Sequence, residues 1–117
     1  MNKNLKIIDF NHLNTIAGGD ENFKKELADI FLLQIPVFIE NMKIYYDGNK
    51  MEELAREAHT AKSSVLIFGM ENAGRLLKEI QQLAENKKAT EIESALKEVE
   101  IDLQQAKTEL DEILNKD

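Results

Sequence analysis

The chain has no cysteine, which excludes disulfides, thiolate nucleophiles and thiolate metal sites. It has one proline and five glycines in 117 residues, so helix breakers are scarce. Basic residues are also in deficit, 15 against 22 acidic, for a net charge of −7. A broad face for nucleic acid or an anionic membrane is therefore not expected, and any anion-binding role must rest on a local basic spot. Long apolar runs are missing too. The opening Met1 to Asp9 holds no signal-peptide core. The stretch Ile30 to Ile39 is too short for a bilayer and is interrupted by Gln34 and Pro36. The cytoplasm is the expected compartment.

What is there reads as a helical globule. Hydrophobic residues make up 43% and charged residues 32%, a balance of ordered rather than disordered chains. The length suits one domain over residues 1–117, with enough chain to bury a core. Met1 and the charged end Lys116-Asp117 fit a complete small protein.

Four breaks divide the chain: Gly18-Gly19-Asp20, Asp47-Gly48-Asn49, Gly69, and Asn86 to Thr90. Asp20 is placed to cap the helix after it, and Thr90 with Glu93 matches a capping box. Between the breaks, apolar residues recur at three and four. Phe23, Leu27, Ile30, Phe31, Leu33, Val37 and Phe38 form one stripe. Met51, Leu54, Ala58, Ala61, Val65 and Phe68 form the next. Ala73, Leu76, Leu77, Ile80, Leu83 and Ala84 follow, then Ile92, Ala95, Leu96, Val99, Leu103, Ala106, Leu110 and Ile113. The pattern predicts an all-α fold, an antiparallel four-helix bundle, with a short capping helix over Asp9 to Ala17. Pro36 implies a kink in the first long helix, or a later start to it.

His59 is the residue that points to chemistry. On a helical wheel of about 100° per residue it falls roughly 130° from the centre of its own core stripe, on the solvated side. Arg56, Lys62, Ser63 and Leu66 are its neighbours. An exposed imidazole is a nucleophile near neutral pH. A phosphoryl group on it carries about two negative charges, which Lys62 one turn on and Arg56 one turn back can neutralise. Ser63 is small enough to admit a partner's backbone. Leu66 and Ile67 also fall outside the core stripe. They form either a docking patch beside His59 or an apolar pair packed under the Asn2–Ala17 segment. Taken alone, the constellation is more simply read as an exposed helical histidine among surface cations, a common arrangement.

The run Ala58-His59-Thr60-Ala61-Lys62-Ser63-Ser64-Val65-Leu66-Ile67-Phe68-Gly69 resembles the motif of histidine-containing phosphotransfer (HPt) domains, His-x-x-Lys, small residues, then Leu/Phe-Gly. His59, Lys62, Ser64 and Phe68-Gly69 carry the likeness. The lead-in Leu54-Ala55-Arg56-Glu57-Ala58 and the opening from Ile8-Asp9 through Leu13 to Gly18-Gly19-Asp20 are similar to the family as well. The resemblance implies that His59 accepts the phosphoryl group. It also implies that Gln81, on the next helix, bonds the non-reacting imidazole nitrogen and leaves Nε2 free to attack. Two departures stand out. Ser63 replaces the usual glycine after the lysine, and Leu66 replaces the usual small residue seven after the histidine.

The resemblance further implies a monomeric carrier in a two-component phosphorelay. Its partners would be response-regulator receiver domains or a hybrid sensor histidine kinase. The phosphoryl group would pass from a receiver aspartate to His59 and on to another receiver. No cofactor is expected, and Mg²⁺ would come with the receiver, since the site offers no carboxylate cluster. No Gly-rich phosphate loop is present, so the chain is expected not to be a kinase.

Two other readings fit a helical bundle. A non-catalytic adaptor would use the near-heptad of the last helix, but a bundle core gives the same pattern. A carboxylate-bridged metal oxidase needs inward Glu-x-x-His pairs. Arg56 precedes His59 by three and Asp9 precedes His12 by three, so those pairs are absent. His12 has no lysine one turn on and reads as a surface or structural residue.

Overall fold

The computed structural model describes residues 7–114. The beginning of the Asn2–Ala17 segment and the Lys116-Asp117 end lie outside the described residues. Five helices follow one another: α1 (Phe10–Ala17), α2 (Glu21–Asp47), α3 (Met51–Ile67), α4 (Glu71–Glu85) and α5 (Ala89–Leu114). Among the described residues there is no strand. Each long helix packs on the next, and α2 also packs on α5. Together they enclose one core. No helix is long and apolar enough to cross a membrane among the described residues.

One of the four breaks separates each helix from the next, although Asp47 still belongs to α2 and Ala89 and Thr90 already belong to α5. Asp20 accepts from the amide of Phe23 at 3.1 Å and caps α2. Asp9 does the same for α1, accepting from the amides of Asn11 and His12. At the end of α3, Gly69 takes φ +67°, and the amides of Gly69 and Met70 bond back to Leu66 and Val65. This is a Schellman ending, in which the left-handed residue satisfies two otherwise open carbonyls. The expected Thr90–Glu93 box does not form. The helix already starts at Ala89, so Thr90 lies inside it, and the Glu93 carboxylate turns to Lys97 at 3.6 Å.

The α3 stripe is buried as expected, from Met51 to Phe68. So are Ala73, Leu76, Leu77, Ile80 and Ala84 of α4, and Ile92, Ala95, Val99, Leu103, Ala106 and Leu110 of α5. Leu83, Leu96 and Ile113 are half-buried. Phe31 of α2 stacks on Phe68 with ring centroids 4.5 Å apart, pinning α2 to the end of α3. Each fully buried side chain of this size contributes about 1.5–3 kcal/mol by leaving water.

The α2 stripe needs correction. Phe23, Ile30, Leu33 and Val37 are exposed, Leu33 at 75%. The core row is Ala28, Phe31, Ile35, Phe38 and Met42. Two apolar rows run along this helix, and spacing of three and four merged them. The helix continues past Pro36 as one element from Glu21, so it does not start later. Pro36 is exposed, and the one donor it removes would have faced the carbonyl of Leu32.

The segment before α1 is strapped across the far ends of α3 and α5. Asp9 donates its amide to the Phe68 carbonyl at 2.9 Å. Glu109 of α5 is buried, with 3% exposure. Its two carboxylate oxygens accept from the amides of Ile7 at 2.8 Å and Ile8 at 3.0 Å. Gln105 donates to it as well. A buried carboxylate with no cation beside it among the described residues is tolerable here because three donors replace its water.

Candidate phosphotransfer site

His59 stands mid-way along α3, exposed, between core residues Ala58 and Ala61. The helix wheel dictates this, since a buried row of small residues turns its neighbour at +1 outward. Arg56 and Ser63 are exposed on the same side, and Lys62 is half-buried toward α4. Among the described residues no carboxylate is paired with Lys62 or Arg56, which they share with Lys25, Lys50, Arg75, Lys78, Lys87 and Lys88; Lys24, Lys43, Lys97 and Lys107 are paired. In a chain of net charge −7, these two cations are a local positive spot around the imidazole.

Gln81 reaches His59 from α4. Its Oε1 lies 3.4 Å from Nδ1 of the imidazole. Its Nε2 donates to Glu85 Oε2 at 3.1 Å, one turn further along α4. The second bond orients the first. A carboxylate only accepts, so it holds the amide nitrogen of Gln81 on its own side and leaves the oxygen facing His59. An oxygen at Nδ1 selects the tautomer with the proton on Nδ1. The lone pair is then on Nε2, which points away from α4. Neither Glu85 nor its role is visible in the histidine motif. Its only sequence signal is the spacing of four after Gln81.

The rest of the face is set by α2. Ser64 donates to Gln34 Oε1 at 3.1 Å, and Asn41 donates to Glu57 at 3.0 Å. These contacts fix the register of α2 beside α3. Ile30, Leu33 and Val37 are exposed on the same helix, and on a wheel they fall beside Gln34 and Asn41, on the flank of α2 that meets α3. The apolar surface on this flank comes mostly from α2, from residues that sequence periodicity assigns to the core. Of the two residues expected to form it, Leu66 is exposed at 41%. Ile67 is only half-exposed and packs partly against the core.

Leu66 lies on Gly74. A Cβ built on that glycine would stand 2.7 Å from Leu66 Cδ2 and 3.3 Å from its Cγ. Gly74 is buried inside α4, where alanine would favour the helix by about 1 kcal/mol. The glycine leaves space that the leucine fills.

His12 is exposed on α1, at the strapped end of the molecule and away from this cluster. The groove between α2 and α5, lined by Ile39, Met42, Tyr46, Leu96 and Val99, contains none of the site residues. No group of three or more His, Asp or Glu that could hold a metal ion occurs among the described residues.

The arrangement is an exposed imidazole with one oriented nitrogen, two unpaired cations and an apolar flank. Comparison with known proteins gives the same direction. No curated protein and no solved structure matches the chain. A family model described as the Hpt domain matches residues 26–116, a span that takes in α3, α4 and the whole of the site. Hpt domains carry phosphoryl groups in two-component phosphorelays, where they meet receiver domains and histidine kinases. The chain belongs to the Hpt domain family.

Proposed function

We propose that His59 is the phosphoryl acceptor of this domain, receiving the group from a receiver-domain aspartate and passing it to a second receiver. The observation that carries this is the exposed imidazole whose Nδ1 faces Gln81 Oε1 at 3.4 Å. The Nε2 lone pair attacks phosphorus in line. The N–P bond forms as the P–O bond to the aspartate breaks, and the carboxylate leaves with the electron pair. The reverse step discharges the group to the next aspartate. The transition state is loose, so the work is positioning and charge neutralisation. Lys62 neutralises the equatorial oxygens, and Arg56 adds to the local potential. The bundle is a carrier rather than a kinase. We read α2 to α5 as an antiparallel four-helix bundle with α1 across one end, acting as a monomer in the cytoplasm.

The receiver docks on the face shared by α2 and α3. Ile30, Leu33 and Val37 give it an apolar area beside His59, and Ser63 lets its backbone approach. Magnesium belongs to the receiver. This face gathers two cations and an imidazole, not the oxygen ligands magnesium takes.

The test is transfer of labelled phosphate from a phosphorylated receiver to the wild-type chain and to His59→Gln. Wild type takes up label in an acid-labile linkage, and the variant takes up none while keeping its helical spectrum. Label that persists in the variant and maps to His12 refutes the assignment. A wild-type chain that no receiver labels leaves the adaptor reading in its place.

A further inference from the structure

Resting on the phosphocarrier reading, we propose that Gly74 is a positioning residue for partner access. It is a recess on α4 that holds Leu66 down, off the surface a receiver must cover to reach His59.

Leu66 and His59 are seven residues apart on α3, hence within about 20° on the wheel and about 10 Å along the axis. Ser63 and Lys62 occupy the turn between them. Long side chains in a helix lean toward its N-terminus, and for Leu66 that direction is toward Ser63 and His59. A protein partner covers about 800 Å² of each surface, a patch wide enough to include both residues. A leucine standing upright at position 66 would therefore lie under the docked receiver. In the structure it lies over Gly74, its Cδ2 2.7 Å and Cδ1 3.9 Å from where a Cβ would be. It remains 41% exposed, so it is seated in the recess rather than buried in the core.

The close fit is to one side chain. The three atoms nearest to a Cβ at Gly74 all belong to Leu66, and the nearest of them is a methyl at the free end of a flexible chain. Gly74→Ala thus displaces Leu66 and leaves the backbone of α4 alone. Leu66 is already 41% exposed, so the displaced isobutyl group has solvent to move into, and the lean of a helical side chain directs it toward Ser63. The glycine has no backbone reason to be there, since its φ is ordinary for a helix. Its helix propensity is poor, and only the leucine opposite it accounts for the choice. Position 66 sets how much apolar bulk the receiver meets, and position 74 sets how high that bulk stands.

The experiment compares two phosphoryl donors. One is a receiver domain that labels wild type, charged on its aspartate with acetyl phosphate. The other is phosphoramidate, which is small enough to reach an imidazole without docking. Gly74→Ala is expected to slow transfer from the receiver about tenfold more than it slows labelling by phosphoramidate, with a raised half-saturating receiver concentration. Its melting temperature stays at or above that of wild type. In a Leu66→Ala background the same Gly74→Ala change has no further effect on receiver transfer. Equal slowing with both donors, wild-type transfer from the receiver, or an undiminished effect in the Leu66→Ala background would each overturn the proposal. Failure of the reading beneath it looks different. There, wild type takes no label from the receiver, or His59→Gln is labelled as well as wild type is.

Discussion

Gln81 Oε1 stands 3.4 Å from Nδ1 of His59 across the α3–α4 interface, and Glu85 holds the amide that carries it. The contact joins two helices and fixes a proton. In Gln81→Ala the imidazole loses its tautomer preference, and receiver transfer falls about threefold to tenfold, as befits one hydrogen bond of about 1 kcal/mol. Glu85→Ala has a smaller effect in the same direction, because it frees the amide to flip. Nitrogen-15 spectra of the imidazole check both. Wild type shows the proton on Nδ1, and the two variants show a mixture.

Lys62→Ala slows transfer about tenfold to a hundredfold without abolishing it, since one charge-assisted contact to a phosphoryl oxygen contributes about 1.5–3 kcal/mol and Arg56 remains. The effect grows at low salt, where an exposed cation acts over a longer range. Rapid-quench transfer rates at two ionic strengths test this. A rate equal to that of wild type at both would remove Lys62 from the site.

Leu33→Asp and Val37→Asp are expected to leave stability within about 0.5 kcal/mol of wild type, because both side chains already face water. They raise the receiver concentration needed for half-maximal transfer and leave labelling by phosphoramidate as it was. Phe38→Asp is the contrast. It buries a charge in the core and unfolds the chain. Thermal melts beside transfer assays separate the two rows of α2.

Glu109→Gln tests the strap. The amide side chain offers one acceptor oxygen where two amides are now served, so a buried donor is left open at a cost of about 1–3 kcal/mol. Melting temperature falls while transfer at 25 °C is retained, since the strap crosses the end of the bundle away from His59. Gly69→Ala loses stability for a separate reason. Its backbone is left-handed at φ +67°, and a Cβ there would stand 2.5 Å from Asp9 Cβ.

How much of this was legible in the sequence differs from helix to helix. In α3 one long apolar row, Met51 to Phe68, outweighs the pair Leu66 and Ile67 in fixing the buried face, so the exposure of His59 follows directly. In α2 apolar residues occupy two rows, and period alone does not say which one meets water. Period alone therefore places Phe23, Ile30, Leu33 and Val37 in the core, where the structure exposes them. Gln81 was reachable through the resemblance. Glu85 and Gly74 were not, because their roles lie in contacts with other side chains rather than in their own type. Glu109 reads as one more acid on a charged helix, and only the docked N-terminal segment gives it donors. The Thr90–Glu93 box shows the opposite case, a local signal overruled when the helix began a residue earlier.

The Glu109 strap also bears on how the molecule opens. Most contacts in a helical bundle are local and re-form quickly. The bonds from Ile7 and Ile8 instead join residues 102 and 101 positions apart. Those two amides stay protected only while α5 is docked and the segment before α1 lies across it. Fraying of α2 or α4 alone does not expose them. Their hydrogen exchange therefore reports release of the segment before α1 from α5, and exchange at His59 reports the local motion of α3.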